Sequence, residues 1–253
     1  VYTPIQAVEG FHLAFLRVLE SKLRRDAFVV KGGVNLRAWF GSLRYSEDLD
    51  LDLLHGEVFE LRDRIDAVLA GPVLRDLLRS LGLEIERSSA PKQTATTQRW
   101  KLELSQVGRG LPLHTKIEFS RRGGDDEFAL DPVLGEIVAP YGIPVPTVQH
   151  YIAVAAIRQK IRALAGRREV QARDVWDLDH LLRTTRADPF PMAMEPPDAL
   201  DRALDRVADL PFEAFQAQVV PFLAPEHQDV FGTRESWQRI QDLVIGRLLE
   251  DRE

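Results

Sequence analysis

The segment Lys31–Asp52, KGGVNLRAWFGSLRYSEDLDLD, constrains this chain more than any other. It runs into Leu49–Leu53, which reads Leu-Asp-Leu-Asp-Leu, the alternation of a half-buried strand. Successive strand side chains point to opposite faces, so Asp48, Asp50 and Asp52 share one face and the leucines share the other. Two carboxylates at i and i+2 can hold a divalent metal. The same face also reads as the solvated acidic side of an edge strand. Upstream, Gly32 and Gly33 open a helix-like stretch that ends at Gly41. A glycine turn at a helix N-terminus can hold a phosphate on backbone N–H groups. Fourteen residues separate Gly33 from Asp48, room for one helix and a short return to the same place. Together the two features point to metal-dependent chemistry on a nucleotide.

Around this block the periodicity predicts an amphipathic helix over residues 5–25 and a short apolar link at Phe28–Val30. Helices follow at Val34–Phe40, Val58–Ala70 and Val73–Leu81, the last two broken by Gly71-Pro72. Strands are expected at Leu83–Arg87, Gln98–Leu104 and Leu113–Ser120, with a polar loop at Ser88–Thr97 and a turn at Gly123–Asp126. Pro132–Pro146 carries four prolines and two glycines and reads as a linker. Beyond it the pattern is helical: Thr147 as the N-cap of a helix to about Ala165, then Ala172–Leu182, a proline-rich loop at Asp188–Asp198, and about three closing helices. The expected fold class is α+β: an α/β domain over 1–131, a linker over 132–146 and a helical domain over 147–253.

Composition removes several classes. The chain has no cysteine, which excludes disulfides and thiolate metal sites and leaves oxygen or imidazole ligands. Carboxylates suit magnesium or manganese. Its six histidines show no HxH or HxxxH spacing for zinc. Neither GxxxxGK[ST] nor GxSxG occurs. No apolar run approaches the roughly 18 residues of a membrane span. The opening VYTPIQAVEGFHLAF lacks the blocks of a signal peptide, so the expectation is a cytoplasmic protein without a membrane partner. A net charge of −6 argues against non-specific coating of nucleic acid, though a local basic patch can still grip RNA.

Nucleotidyl transfer usually draws a third carboxylate from a neighbouring strand. Glu118, between the core-facing Ile117 and Phe119, is the candidate to join Asp48 and Asp50 as metal ligand. Arg44 and Ser46 precede the acid pair and can contact phosphate or serve local structure. A second constellation lies in YIAVAAIRQKIRALAGRREVQARDVWDL, residues 151–178. On a helix, Lys160 borders the apolar stripe of Val154, Ile157, Ile161 and Leu164, in line with Arg167. A lysine there can neutralise phosphate charge. Asp174 and Asp177 follow at i and i+3, either to touch substrate or to orient Lys160 and Arg167 in an ionic pair.

These two constellations resemble the AbiEii/AbiGii toxin family of nucleotidyltransferases, within the DNA polymerase β-like superfamily. KGG…RYSEDLDLDL is similar to its first motif, and IRQKIRALAGR with ARDVWDLDHLL to its later lysine, arginine and acidic motifs. The resemblance spans about residues 25–182. It implies a nucleotidyltransferase core with a mixed β-sheet and flanking helices, followed by a helical domain. It implies that Asp48 and Asp50 bind magnesium, that Gly32, Gly33, Ser46 and Lys160 hold a nucleoside triphosphate, and that Glu118 occupies the place of the third carboxylate. Some members of the family add nucleotides to the tRNA 3′ end, and such toxins are paired with an antitoxin.

The expected function is therefore magnesium- or manganese-dependent transfer of NMP from an NTP to an acceptor hydroxyl, with tRNA as acceptor and an antitoxin as partner. The expected catalytic set is Asp48, Asp50, Glu118 and Lys160, and the nucleotide-binding set is Gly32, Gly33, Arg44, Ser46, Lys160, Arg167 and Asp177. A protein or small-molecule acceptor, or a non-catalytic nucleotide- or RNA-binding module, are the alternatives.

Overall fold

The computed structural model describes residues 2–121, 127–185 and 197–250. The chain divides into two units: Val1–Gly41 with Tyr45–Tyr151, and Ser42–Arg44 with Ile152–Glu253.

The first unit is built on a mixed seven-stranded sheet, in the order β3-β4-β5-β2-β1-β7-β6. The strands are β1 (Phe28–Lys31), β2 (Leu49–Leu53), β3 (Leu83–Gln93), β4 (Thr97–Gln106), β5 (Leu113–Ser120), β6 (Phe128–Pro132) and β7 (Thr147–Tyr151). β2 runs parallel to β5 and β1 runs parallel to β7, and the remaining pairs are antiparallel. The acid-bearing β2 is thus a central strand, not a solvated edge. Its leucines Leu49 and Leu51 are fully buried with Ile117, Phe119 and Trp100.

Helices α1 (Pro4–Leu19), α3 (Val58–Ala70) and α4 (Pro72–Ser80) pack together beside this sheet, and α2 (Gly32–Phe40) joins β1 to the return leading into β2. A Thr3/Gln6 capping box with Pro4 in the first turn starts α1, which accounts for its sharp N-terminus. Gly41, in the left-handed conformation, ends α2 by donating to the Leu36 carbonyl. A short helix, α5 (Gly135–Val138), lies between β6 and β7.

Several expectations shift. Phe28–Val30 is not a link: β1 gains strand structure by pairing with Leu51–Leu53 of β2. The polar stretch after Arg87 continues β3 to Gln93, paired along β4, so only a tight turn remains where a loop over Ser88–Thr97 was expected. Helix α1 stops at Leu19, short of residue 25. Thr147 does not cap a helix. It opens β7, the Pro132–Pro146 stretch lies inside the first unit, and the next helix begins after Ile152. Gly123–Asp126 and most of Asp188–Asp198 lie outside the described residues.

The second unit is helical among the described residues: α6 (Ala153–Gly166), α7 (Ala172–Thr184), α8 (Pro197–Asp209), α9 (Phe212–Gln218), α10 (Pro225–Phe231) and α11 (Arg234–Glu250). Its core gathers Ile157, Ile161, Val175, Leu178, Val207, Phe215 and Val244, with Trp237 stacked on Phe215 at 4.8 Å between ring centroids. No described helix is long and apolar enough to cross a membrane.

Candidate active site

Register brings the first unit's charged residues into rows across the sheet. Asp50 of β2 stands opposite Glu118 of β5 on one side and opposite Lys31 of β1 on the other. Glu118 in turn faces Arg99 of β4. The structure therefore brings Asp48, Asp50 and Glu118 to one face of neighbouring strands, as the alternation predicted.

Their environments differ. Asp48 accepts from Lys116 Nζ at 2.5 Å, and Glu118 accepts from Arg99 Nε at 2.6 Å. Asp52 is buried and accepts from Lys31 Nζ (2.5 Å) and from the Tyr151 hydroxyl (2.8 Å). Asp50 takes no hydrogen bond or ion pair among the described residues. Burial pushes its carboxyl above the usual range, Asp48 and, more weakly, Glu118 add to that push, and Lys116 and Lys31 oppose it.

The glycine turn meets this acid directly. Gly32 has φ +67°, and a Cβ placed on it would stand 3.2 Å from Asp50 Oδ2. Gly33 is not among the glycines at positive φ. The first turn of α2, with no side-chain cap at Lys31, thus opens beside an unpaired carboxylate. The donor chemistry is all hard oxygen, and the electrostatic strain on Asp50 is of the kind that a cation relieves, so the residues fit a divalent metal at Asp48 and Asp50. Asp48 would have to share an oxygen with Lys116 or release it, and Glu118 would have to release Arg99 to join them. Among the described residues, no three such groups are gathered as a closed metal cluster.

Ser46 spends its hydroxyl proton on the Asp48 carbonyl at 2.8 Å. Arg44, Lys160, Arg167 and Asp177 all belong to the second unit, where Arg44, Lys160 and Asp177 form a buried ionic cluster with Asp174 and the exposed Arg167 reaches it from outside. Arg44 grips Asp177 with a two-pronged contact, Nε to Oδ1 at 3.0 Å and Nη2 to Oδ2 at 2.9 Å. Lys160 donates to Asp177 Oδ2 at 2.6 Å and to Asp174 Oδ1 at 3.0 Å, and Arg167 pairs with Asp174 at 3.2 Å. Burial alone would raise Asp177, but Arg44 and Lys160 outweigh it and hold the carboxyl down to about 2. Burial opposes the charge on Lys160, and Asp177 and Asp174 override it and raise its pKa. Both aspartates thus hold Lys160.

The sequence reading missed Lys31, Arg99 and Lys116, the cations that surround the carboxylates. Lys116 lies two residues before Glu118 and so on the same strand face, a signal that the alternation contained. Lys31 immediately precedes the glycine pair. Arg99 could be found only from the β4–β5 register.

The sequence matches the family model for the nucleotidyl transferase AbiEii toxin of type IV toxin–antitoxin systems over residues 14–250. The fold is similar to MenT4, the nucleotidyltransferase toxin Rv2826c of Mycobacterium tuberculosis H37Rv (TM-score 0.63, 19% identity, covering 98% of this chain and 86% of that one). It is also similar to JHP933 from Helicobacter pylori (TM-score 0.59, 17% identity, 100% and 96% covered). A putative nucleotidyltransferase from H. pylori gives a TM-score of 0.55 at 18% identity, with 94% and 92% covered. No curated protein matches the sequence. With its acid strand, glycine turn and mixed sheet, the chain belongs to the AbiEii nucleotidyltransferase toxin family of type IV toxin–antitoxin systems.

Proposed function

We propose that this nucleotidyltransferase moves an NMP from an NTP to the 3′-terminal hydroxyl of tRNA, with magnesium or manganese held at Asp48 and Asp50. The observation that supports this best is the half-buried Asp50, which takes no hydrogen bond or ion pair among the described residues, beside the Gly32 turn, with Asp48 on the same face and Glu118 in register next to it. A bound divalent ion would supply charge neutralisation of the triphosphate and activation of the acceptor oxygen.

The chain's own residues do the rest. The backbone N–H groups of Gly32 and Gly33 hold phosphate oxygens at the start of α2. Asp48 and Asp50 would hold the ion, and Glu118, released from Arg99, accepts the acceptor hydroxyl's proton. Ser46 keeps its lone pairs for a nucleotide donor. Arg44, Lys160, Arg167 and Asp177 enter as the nucleotide-binding group of the second unit. Lys160 retains a third ammonium proton beyond the two held by Asp174 and Asp177. A cationic group of this kind is suited to phosphate oxygens. The tRNA acceptor and the antitoxin partner rest on family resemblance.

The direct test incubates the protein with magnesium, each α-labelled NTP and total tRNA, and resolves products on a denaturing gel. Label on tRNA supports the proposal and reports the base preference. Label only on protein or a small molecule moves the acceptor, and release of no pyrophosphate with any NTP contradicts transfer.

A further inference from the structure

The direction of a side chain is set by the two peptide planes that flank its Cα, one fixing φ and the other ψ. For Asp48 both planes are held by hydroxyls. Ser46 Oγ donates to the Asp48 carbonyl at 2.8 Å, which holds the plane leaving the residue. Thr115 Oγ1 donates to the Glu47 carbonyl, also at 2.8 Å, which holds the plane entering it. A threonine hydroxyl has one proton. Because Thr115 gives it to Glu47, its contact with His12 Nε2 at 2.8 Å requires the histidine to be the donor. His12 is 2% exposed on α1, and no step of the proposed transfer uses it.

We infer that His12 is a positioning residue for Asp48: as the Nε2–H tautomer it orients the Thr115 hydroxyl onto the Glu47 carbonyl, and so fixes the peptide plane that aims the carboxylate. Burial keeps the ring neutral, with its pKa lowered to about 3, and the contact with Thr115 selects the Nε2–H tautomer. Without this donor Thr115 loses one of the two contacts that set its hydroxyl, and the Glu47–Asp48 peptide is held less firmly. The inference rests on the reading of Asp48 as a transfer carboxylate.

The test compares His12→Leu, His12→Gln, Thr115→Val and Thr115→Ser with the parent chain. A glutamine amide replaces the Nε2–H donor and a serine retains the hydroxyl. His12→Leu and Thr115→Val should lower kcat about tenfold or more and raise the half-saturating magnesium concentration, leaving the KM for NTP within twofold. His12→Gln and Thr115→Ser should stay near the parent, and the His12→Leu/Thr115→Val double variant should be no worse than Thr115→Val alone. A second readout needs no activity: the Asp48 amide resonance, which reports hydrogen bonding at the preceding carbonyl, should move in His12→Leu and Thr115→Val and stay put in His12→Gln. Equal rates and equal Asp48 shifts in His12→Leu and His12→Gln would overturn the inference. If the parent chain transfers nothing to any acceptor, the transferase proposal fails instead, and the Asp48 shifts still decide the role of His12.

Discussion

Gly32 leaves room for Asp50: a Cβ on Gly32, at φ +67°, would sit 3.2 Å from the Asp50 carboxylate oxygen. The absence of a side chain at one residue therefore sets the approach of backbone N–H groups to the acid of another. Gly32→Ala should cost about 1–2 kcal/mol for the left-handed backbone, and should also displace Asp50 and depress transfer at least tenfold. Gly142→Ala is the control. It has φ +60° and nothing within 4 Å of its Cβ, so it carries the same backbone cost away from the acids. Denaturant midpoints and transfer rates of the two variants, measured side by side, separate strain from catalysis. Equal activity losses in both would show that the contact with Asp50 does not matter.

The ionic cluster of the second unit predicts an asymmetry between its members. Asp177 is fully buried and holds both Arg44 and Lys160. Asp177→Ala should cost roughly 3–5 kcal/mol, because it strands buried cations. Lys160→Met should cost less, because Arg44 remains on Asp177 and Arg167 on Asp174. If Lys160 also meets phosphate, Lys160→Met will raise the KM for NTP or lower kcat beyond its effect on stability. Urea titration with steady-state kinetics on both variants resolves the two contributions.

Acid should weaken the fold through His12. Its pKa falls from 6.5 to about 3 on burial, so the unfolded chain binds a proton that the native chain refuses between those values. Stability contributed by this group is complete above about pH 6.5 and is lost as pH falls below it, by about 1.4 kcal/mol per pH unit. His12→Gln removes the titration. Urea midpoints at pH 7 and pH 5 should therefore diverge more in the parent chain than in His12→Gln, and identical pH dependence would contradict a buried neutral histidine.

Much of the first unit was legible because its signals are local. Leu-Asp-Leu-Asp-Leu fixes the bounds of β2 and its faces, and Ile117/Phe119 place Glu118 opposite the core. What local signals do not carry is neighbourhood. The acidic face of β2 reads equally as an edge, and only pairing with β1 and β5 makes it central. Four residues are too few for Phe28–Lys31 to show a period. The second half of β3 is mostly exposed and polar, so its strand character comes from β4. Thr147 has the chemistry of an N-cap, yet pairing with β6 leads the chain into β7 first. The same limit governs the site. The acids were visible by alternation, whereas the roles of Arg99, Lys116 and His12 depend on register and on a helix packed against β5.

The central claim is that Asp48 and Asp50 carry nucleotidyl transfer. The most direct measurement is the rate of label incorporation from α-labelled NTP by Asp48→Ala beside the parent chain, with magnesium present or chelated and with circular dichroism confirming that the variant is folded. The account predicts incorporation by the parent with magnesium, none after chelation, and none by folded Asp48→Ala. Full incorporation by Asp48→Ala would contradict it.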